Sequence, residues 1–166
     1  LYLHFKNKEE LYFGLTHRAL VSLRQRFQTV LNEEATGLEK VVNIGYAYHQ
    51  FSIEEPESFK TIAFYEKTQL EGSEEGLDVV EKCHMEGQGA SKLVAAALQQ
   101  GIDDGTVSKD IEPGRMAFLL QGMSNGMLQL IAREGSHMEK FELFKPEDVI
   151  DDFIELIKRA LQPTDK

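Results

Sequence analysis

The side chains best suited to chemistry in this 166-residue chain are its single cysteine and a few histidines. Cys83 is followed directly by His84, a pair that suggests a thiolate nucleophile or a metal site. Neighbouring residues on a helix point about 100° apart, so these two side chains cannot easily bind one ion. His49 would have to join them from elsewhere in the fold, and neither a Cys-x-x-Cys nor a His-x-x-x-His spacing occurs. We expect no metal site and no cofactor.

Other catalytic patterns are equally hard to find. The sequence shows no recognisable glycine-rich phosphate loop, no nucleophile-elbow serine and no paired catalytic carboxylates with a basic neighbour. Its many carboxylates fall on polar helix faces, where solvation is their usual role. The sequence therefore predicts no catalytic residues, and we expect that the chain is not an enzyme.

Charge is unevenly distributed along the chain. The net charge is −10, but residues 1–30 carry five basic and two acidic side chains, and all the excess of acid lies after them. A basic start on an acidic body predicts that only the start meets an anionic partner, although chance clustering on a solvated helix is the alternative. No apolar stretch approaches the ~18 residues of a membrane span. The lone cysteine and the lack of a signal-peptide pattern predict a cytoplasmic location and no membrane partner.

Helices must position these side chains, because apolar residues recur at three- and four-residue steps throughout the sequence. Thr36 with Glu39 has the spacing of a capping box, and three of the prolines suit helix starts. We expect a mostly polar connection over residues 134–145, with a loop at 135–138. The sequence predicts an all-α fold, a bundle of about six helices that begin near residues 8, 37, 56, 77, 113 and 146.

The last two predicted helices carry more apolar surface than one chain of this size readily covers. The first of them contains the close-packing spacing Gly122–Gly126, and the second has two adjacent apolar rows. We expect both to pair with their copies in a homodimer, as an intermolecular four-helix bundle; the alternative is a compact monomer. The residues expected in the dimer interface are Met116, Leu120, Met127, Ile150, Phe153, Ile154, Ile157 and Leu161.

The opening run Leu1–Leu11 has the order Tyr-x-x-Phe-x-x-Lys-x-x-Leu and resembles the signature of TetR-family transcription regulators. It matches the end of the recognition helix in their helix-turn-helix and the start of the next helix. The runs 101–113 and 121–126 are similar to the family's penultimate-helix region. The resemblance implies a helix-turn-helix remnant at 1–7, a long connecting helix at 8–31, and a TetR-like C-terminal regulatory domain for ligand binding and dimerisation at 32–166.

The resemblance also implies a function, that of a DNA-binding transcription regulator of the repressor type. Tyr2, His4 and Lys8 would lie against DNA phosphates, since a phenol hydroxyl and a lysine near a helix start bind the backbone without reading bases. The resemblance implies that the residues that read bases in the family would precede Leu1. We therefore expect operator DNA to be bound by the full-length protein, as a dimer that reads two half-sites.

In the family, the helical body senses a small molecule that changes the spacing of the two DNA-binding heads. A pocket for a small hydrophobic effector is mostly apolar with a few polar groups, and this sequence offers such side chains. The alternative is ordinary core packing, in a helical dimerisation or adaptor module that senses no small molecule. The residues expected to line the pocket are Tyr48, His49, Ile62, Tyr65, Cys83, His84, Gly87, Phe118, Gln121, Met123 and Asn125.

Overall fold

The computed structural model describes residues 8–70, 78–140 and 144–163. Those residues form six α-helices and no strand. The predicted all-α class is therefore confirmed. The helices are α1 (Lys8–Leu31), α2 (Gly37–Glu54), α3 (Pro56–Leu70), α4 (Asp78–Asp103), α5 (Pro113–Lys140) and α6 (Pro146–Leu161). Within these described ranges, no helix is both long enough and apolar enough to cross a membrane.

The helix starts follow from local chemistry that the sequence displays. Thr36 caps α2: its hydroxyl accepts the Glu39 backbone N–H, and the Glu39 carboxylate accepts the Thr36 N–H at 2.8 Å. This reciprocal arrangement satisfies two backbone donors that the first turn would otherwise leave unpaired. Pro56, Pro113 and Pro146 occupy the first positions of α3, α5 and α6, where a missing N–H costs nothing.

The turn after α4 fixes the start of α2. Gly105 adopts a φ of 81°, a left-handed conformation that glycine enters without strain. The Asp104 carboxylate accepts the Gly37 N–H at 2.7 Å. The two helices approach so closely here that a Cβ on Gly37 would lie 1.9 Å from the Gly101 nitrogen. This end of the bundle is therefore closed by backbone packing.

The long helix α1 lies against α4 along its length. Arg24 of α1 pairs with Glu86 of α4 at 2.5 Å. Nearer the N-terminal end, the Cys83 thiol is fully buried and donates to the Phe13 carbonyl at 3.4 Å. These contacts join the first helix to the centre of the bundle.

Helix α5 is longer than its sequence predicts. It continues to Lys140, so the expectation of a connection from residue 134 and a loop at 135–138 is wrong. Gly135 is buried, and a Cβ there would lie 3.3 Å from the Pro146 side chain. Glycine is a poor helix former, but here the missing side chain lets α6 begin against α5. Tertiary packing therefore overrides the local propensity.

Candidate ligand pocket and outer face

A cavity of about 100 Å³ lies inside the bundle, partly open to solvent, and all six helices contribute to its wall. One water molecule needs ~10–15 Å³ of such space, so the cavity holds much more than a single water. Most of the wall is aliphatic or aromatic. Its apolar residues on α1, α2 and α6 include Leu20, Leu23, Phe27, Val41, Ile44, Ile150, Phe153 and Ile154.

The polar part of the wall lies mainly on α5. Gln121, Ser124 and Asn125 follow the spacing i, i+3, i+4, which places them on one helix face, and all three line the cavity. The Tyr48 hydroxyl donates to Asn125 Oδ1 from α2, and both side chains are buried. Ser91 adds a hydroxyl from α4. We refer to these five residues as the polar edge of the cavity.

His49 contributes an imidazole to the same wall. Burial lowers its pKa, because desolvation penalises the charged ring. The carboxylates of Glu147 and Asp151 on α6 act in the opposite direction, and their effect is the smaller one. His49 is therefore neutral at pH 7, with one ring nitrogen able to donate and the other to accept.

The structure brings together six of the eleven residues that the sequence assigned to a pocket. Four of them lie on helices α2, α3 and α4, and two lie on α5. The six predicted residues that line the cavity are Tyr48, His49, Ile62, Gly87, Gln121 and Asn125.

Among the described residues, no group of three or more His, Cys, Asp or Glu side chains is placed to hold a metal ion.

Three other predicted pocket residues lie outside the cavity wall. Tyr65 is buried edge-to-face against Phe13, with ring centroids 6.1 Å apart. Cys83 is buried beside the same phenylalanine, and its burial raises the thiol pKa to about 11, so it is an inert core residue. His84 is exposed, with its ring Nε2 2.7 Å from Nε2 of Gln88. The assignment of Tyr65, Cys83 and His84 to the pocket is therefore wrong.

The remaining two, Phe118 and Met123, were also wrongly placed. Their side chains are 75% and 44% exposed, on the side of α5 that faces away from the cavity. The inward face of α5 instead carries Ala117, Leu120 and Leu128, at three- to eight-residue spacing. A helix with apolar residues on two sides offers no local signal of which side turns inward.

Several residues that line the cavity were not predicted from the sequence. The apolar residues of α1 have the same spacing as ordinary core, because a cavity wall and a packed core use the same side chains. Ser91 offered a better signal, since it places a small hydroxyl among the apolar lining residues Ala90 and Val94 of α4.

The outward side of α5 and α6 is apolar and exposed. We call this the outer face; it consists of the exposed α5 residues Phe118, Leu119, Met123 and Leu130 together with Leu156 of α6, which is 62% exposed. Between them on α5, Gly122 and Gly126 have nothing within 4 Å of the position a Cβ would take. Several large apolar residues exposed on one helix are typical of an interaction surface.

The outer face differs from the interface that the sequence suggested. Four of the predicted interface residues are buried in the protomer's own core, so their assignment is wrong: Leu120, Ile150, Ile154 and Leu161. The other four are only partly buried and pack against that core: Met116, Met127, Phe153 and Ile157. Of the two apolar rows predicted on α6, Leu156 is the large apolar residue that is exposed, while Phe153 of the same row lines the cavity.

The basic start of the chain is partly neutralised within the fold. Arg26 pairs with Glu54 at 2.7 Å and with Glu55 at 2.9 Å, and Arg24 pairs with Glu86. Of the residues expected to contact phosphate, Tyr2 and His4 lie outside the described residues. Lys8 is the first residue of α1, and its side chain is also outside the description.

The sequence matches no family model and no curated protein. Its fold matches several solved structures. The TetR family transcriptional regulator PfmR from Thermus thermophilus superposes with a TM-score of 0.75 at 20% identity, covering 98% of this chain and 81% of that one. The ketosteroid transcriptional regulator KstR2 of Mycobacterium tuberculosis gives 0.75 at 17% identity, covering 98% and 77%.

A third match is the transcriptional regulator FadR from Bacillus subtilis in complex with stearoyl-CoA, with a TM-score of 0.68 at 18% identity, covering 97% of this chain and 80% of that one. These identities are low, and the likeness is one of fold. The chain has a TetR-like, all-α fold.

Proposed function

We propose that this chain is the effector-sensing and dimerising body of a DNA-binding transcription regulator that acts as a repressor. The observation that carries the proposal is the double role of α5. Its inner side lines a cavity through Gln121 and Asn125, and its outer side exposes Phe118 and Leu119. The TetR-like fold supports this reading, because proteins described as transcriptional regulators share it.

The outer face is the proposed homodimer interface. A second copy is the occupant that fits it, because a two-fold axis brings the same apolar patch on both protomers together. Gly122 and Gly126 leave open space between the large side chains, so the two α5 backbones can approach closely. Helices α5 and α6 of the two chains then form a four-helix bundle.

The cavity is the proposed site for a small hydrophobic effector. Its wall is mostly apolar with a few polar groups, as ligand pockets usually are. An adaptor module without a sensing role would fill this space with side chains, so the cavity favours the sensor. The FadR structure in complex with stearoyl-CoA supports a ligand with a long apolar chain.

Helix α1 is the proposed link between the cavity and DNA. Leu20, Leu23 and Phe27 line the cavity, and the same helix begins at Lys8, which we propose lies with Tyr2 and His4 near DNA phosphates. An effector that tilts α1 would change the separation of the two heads in the full-length dimer. Release of operator DNA then requires that the effector bind one head separation more tightly than the other.

The proposal is tested by thermal unfolding of the chain against a panel of hydrophobic compounds, together with light scattering to measure its mass. We expect a dimer whose unfolding temperature rises with at least one compound; at a hundredfold excess over Kd the stabilisation reaches ~2.7 kcal/mol. A monomer at micromolar concentration that no compound stabilises would overturn the proposal.

A further inference from the structure

The polar edge of the cavity shows which chemistry the pocket can recognise. Gln121 and Ser124 on α5 and Ser91 on α4 line the cavity. Gln121 is exposed and therefore lies at the rim, and no hydrogen bond joins these three side chains to another of the described residues. An amide and two hydroxyls are neutral groups that both donate and accept hydrogen bonds. They are therefore able to hold an uncharged polar group of a bound molecule.

The cavity offers no compensating charge to an anion. Among the described residues, no lysine or arginine lines it, and the carboxylates of Glu147 and Asp151 on α6 lie close enough to act on His49 of the wall and would repel negative charge. Most of the remaining wall is apolar, with Ile44 on α2 and Ile154 on α6. An ionised group moved from water into such surroundings loses its hydration without gaining an opposite charge.

We propose that the cavity selects a neutral amphiphile, with an apolar body against α1, α2 and α6 and one uncharged hydrogen-bonding head, such as a ketone, ester or thioester carbonyl, on Gln121 and Ser124. The ionised acid of the same chain length is excluded. This inference rests on the proposed function, because it assigns a ligand class to the proposed effector site.

The experiment measures displacement of diphenylhexatriene, a neutral hydrocarbon dye that fluoresces in apolar surroundings and has no polar atom. Decan-2-one and decanoate, which is ionised at pH 7.5, compete for the dye on the dimeric chain. We expect the dye to bind and decan-2-one to displace it at a concentration lower than that of decanoate by about tenfold or more.

Two double variants separate head-group recognition from simple partition into an apolar space. Q121A with S124A removes the proposed hydrogen bonds and should weaken decan-2-one about fivefold or more, while dye binding stays within twofold. Q129A with S136A is the matched control: both of its residues are exposed on α5 outside the cavity wall, and it should leave both ligands unchanged.

The outcomes distinguish the two proposals. If neither the dye nor any decane derivative binds, the effector site itself is wrong and the proposed function loses its support. If the dye binds but decanoate competes as well as decan-2-one, or if Q121A with S124A has no more effect than the control pair, the cavity remains and the neutral-head inference is overturned.

Discussion

Tyr48 on α2 donates a hydrogen bond to Asn125 on α5 across the wall of the cavity, and both side chains are buried. On α5, Asn125 is followed by Gly126, and no atom lies within 4 Å of the position that a Cβ on Gly126 would take. A single helix turn thus carries both an inward polar contact and an outward surface that a second copy can approach. Any movement of α5 caused by a ligand would therefore reach the proposed dimer interface directly.

Removal of the Tyr48 hydroxyl tests the buried contact. Y48F deletes one buried hydrogen bond and leaves Asn125 Oδ1 without that donor, so the free energy of unfolding should fall by about 1–2 kcal/mol. Y46F is the matched control, because Tyr46 is exposed and bonds Asp151 at the surface. Its cost should stay below about 0.5 kcal/mol. Urea denaturation at fixed protein concentration measures both values, and equal losses would contradict this description.

Charged residues on the outer face test the dimer. L119E and M123E place carboxylates where two copies would meet, so burial of these charges should dissociate the dimer. I53E introduces the same charge at an exposed position on α2, a helix that is not part of the outer face, and should remain dimeric. Light scattering coupled to size exclusion reports the mass. Dissociation by I53E, or intact dimers of L119E with M123E, would place the interface elsewhere.

Two glycine substitutions should have opposite effects on stability. At Gly37 a methyl group would overlap the Gly101 backbone, so G37A should cost about 3 kcal/mol, at the upper end for overpacking. Gly87 has nothing within 4 Å, so G87A should stabilise α4 by up to about 1 kcal/mol through helix propensity. Denaturant unfolding compares the two variants, and a mild effect of G37A would contradict the close approach of α2 and α4.

His49 predicts a loss of stability in mild acid. Its folded-state pKa is lowered by burial, so the unfolded chain binds the proton more readily. The neutral ring stabilises the fold fully above the ordinary histidine pKa of about 6.5, and this contribution falls as the pH drops below that value and through the lowered folded-state pKa. H49Q should flatten the pH dependence of unfolding between pH 7.5 and 5.

H84Q is the control for this measurement, because His84 is exposed on α4. The neighbouring charges Glu147 and Asp151 partly oppose the shift, so the E147Q variant should steepen the acid loss slightly. If the free energy of unfolding of H49Q depends on pH in the same way as that of the unchanged chain, burial of this ring makes no pH-dependent contribution to stability, and the prediction is wrong.

The helix starts could be predicted from the sequence because the features that determine them are local. The capping box at Thr36 and the prolines at 56, 113 and 146 fix starts through backbone hydrogen bonding alone. Gly135 led to the wrong prediction of a loop at 135–138. A glycine suits this helical position because of its close contact with Pro146, a residue beyond the end of α5. Local signals do not report such tertiary contacts.

Only about half of the predicted pocket residues line the cavity, for a related reason. Phe118 and Gln121 lie three residues apart on α5, and both were assigned to the pocket, but only Gln121 lines the cavity and Phe118 is 75% exposed outside its wall. Periodicity defines the faces of a helix but not which face meets the core when two are apolar. The same ambiguity applies to α6, where Ile154 was expected in the dimer interface but is buried in the protomer, while Leu156 is exposed.

The proposed movement of α1 on effector binding can be tested by measuring the distance between the two copies of that helix in the dimer. Arg18 is exposed on α1, and R18C gives one labelling site per chain because Cys83 is fully buried with a raised thiol pKa. Pulsed electron resonance between nitroxide labels should give one defined separation in the dimer, which changes when the tightest-binding compound of the hydrophobic panel saturates the cavity. Absence of a dipolar signal, or an identical separation with and without that compound, would contradict the account of a ligand-sensing dimer.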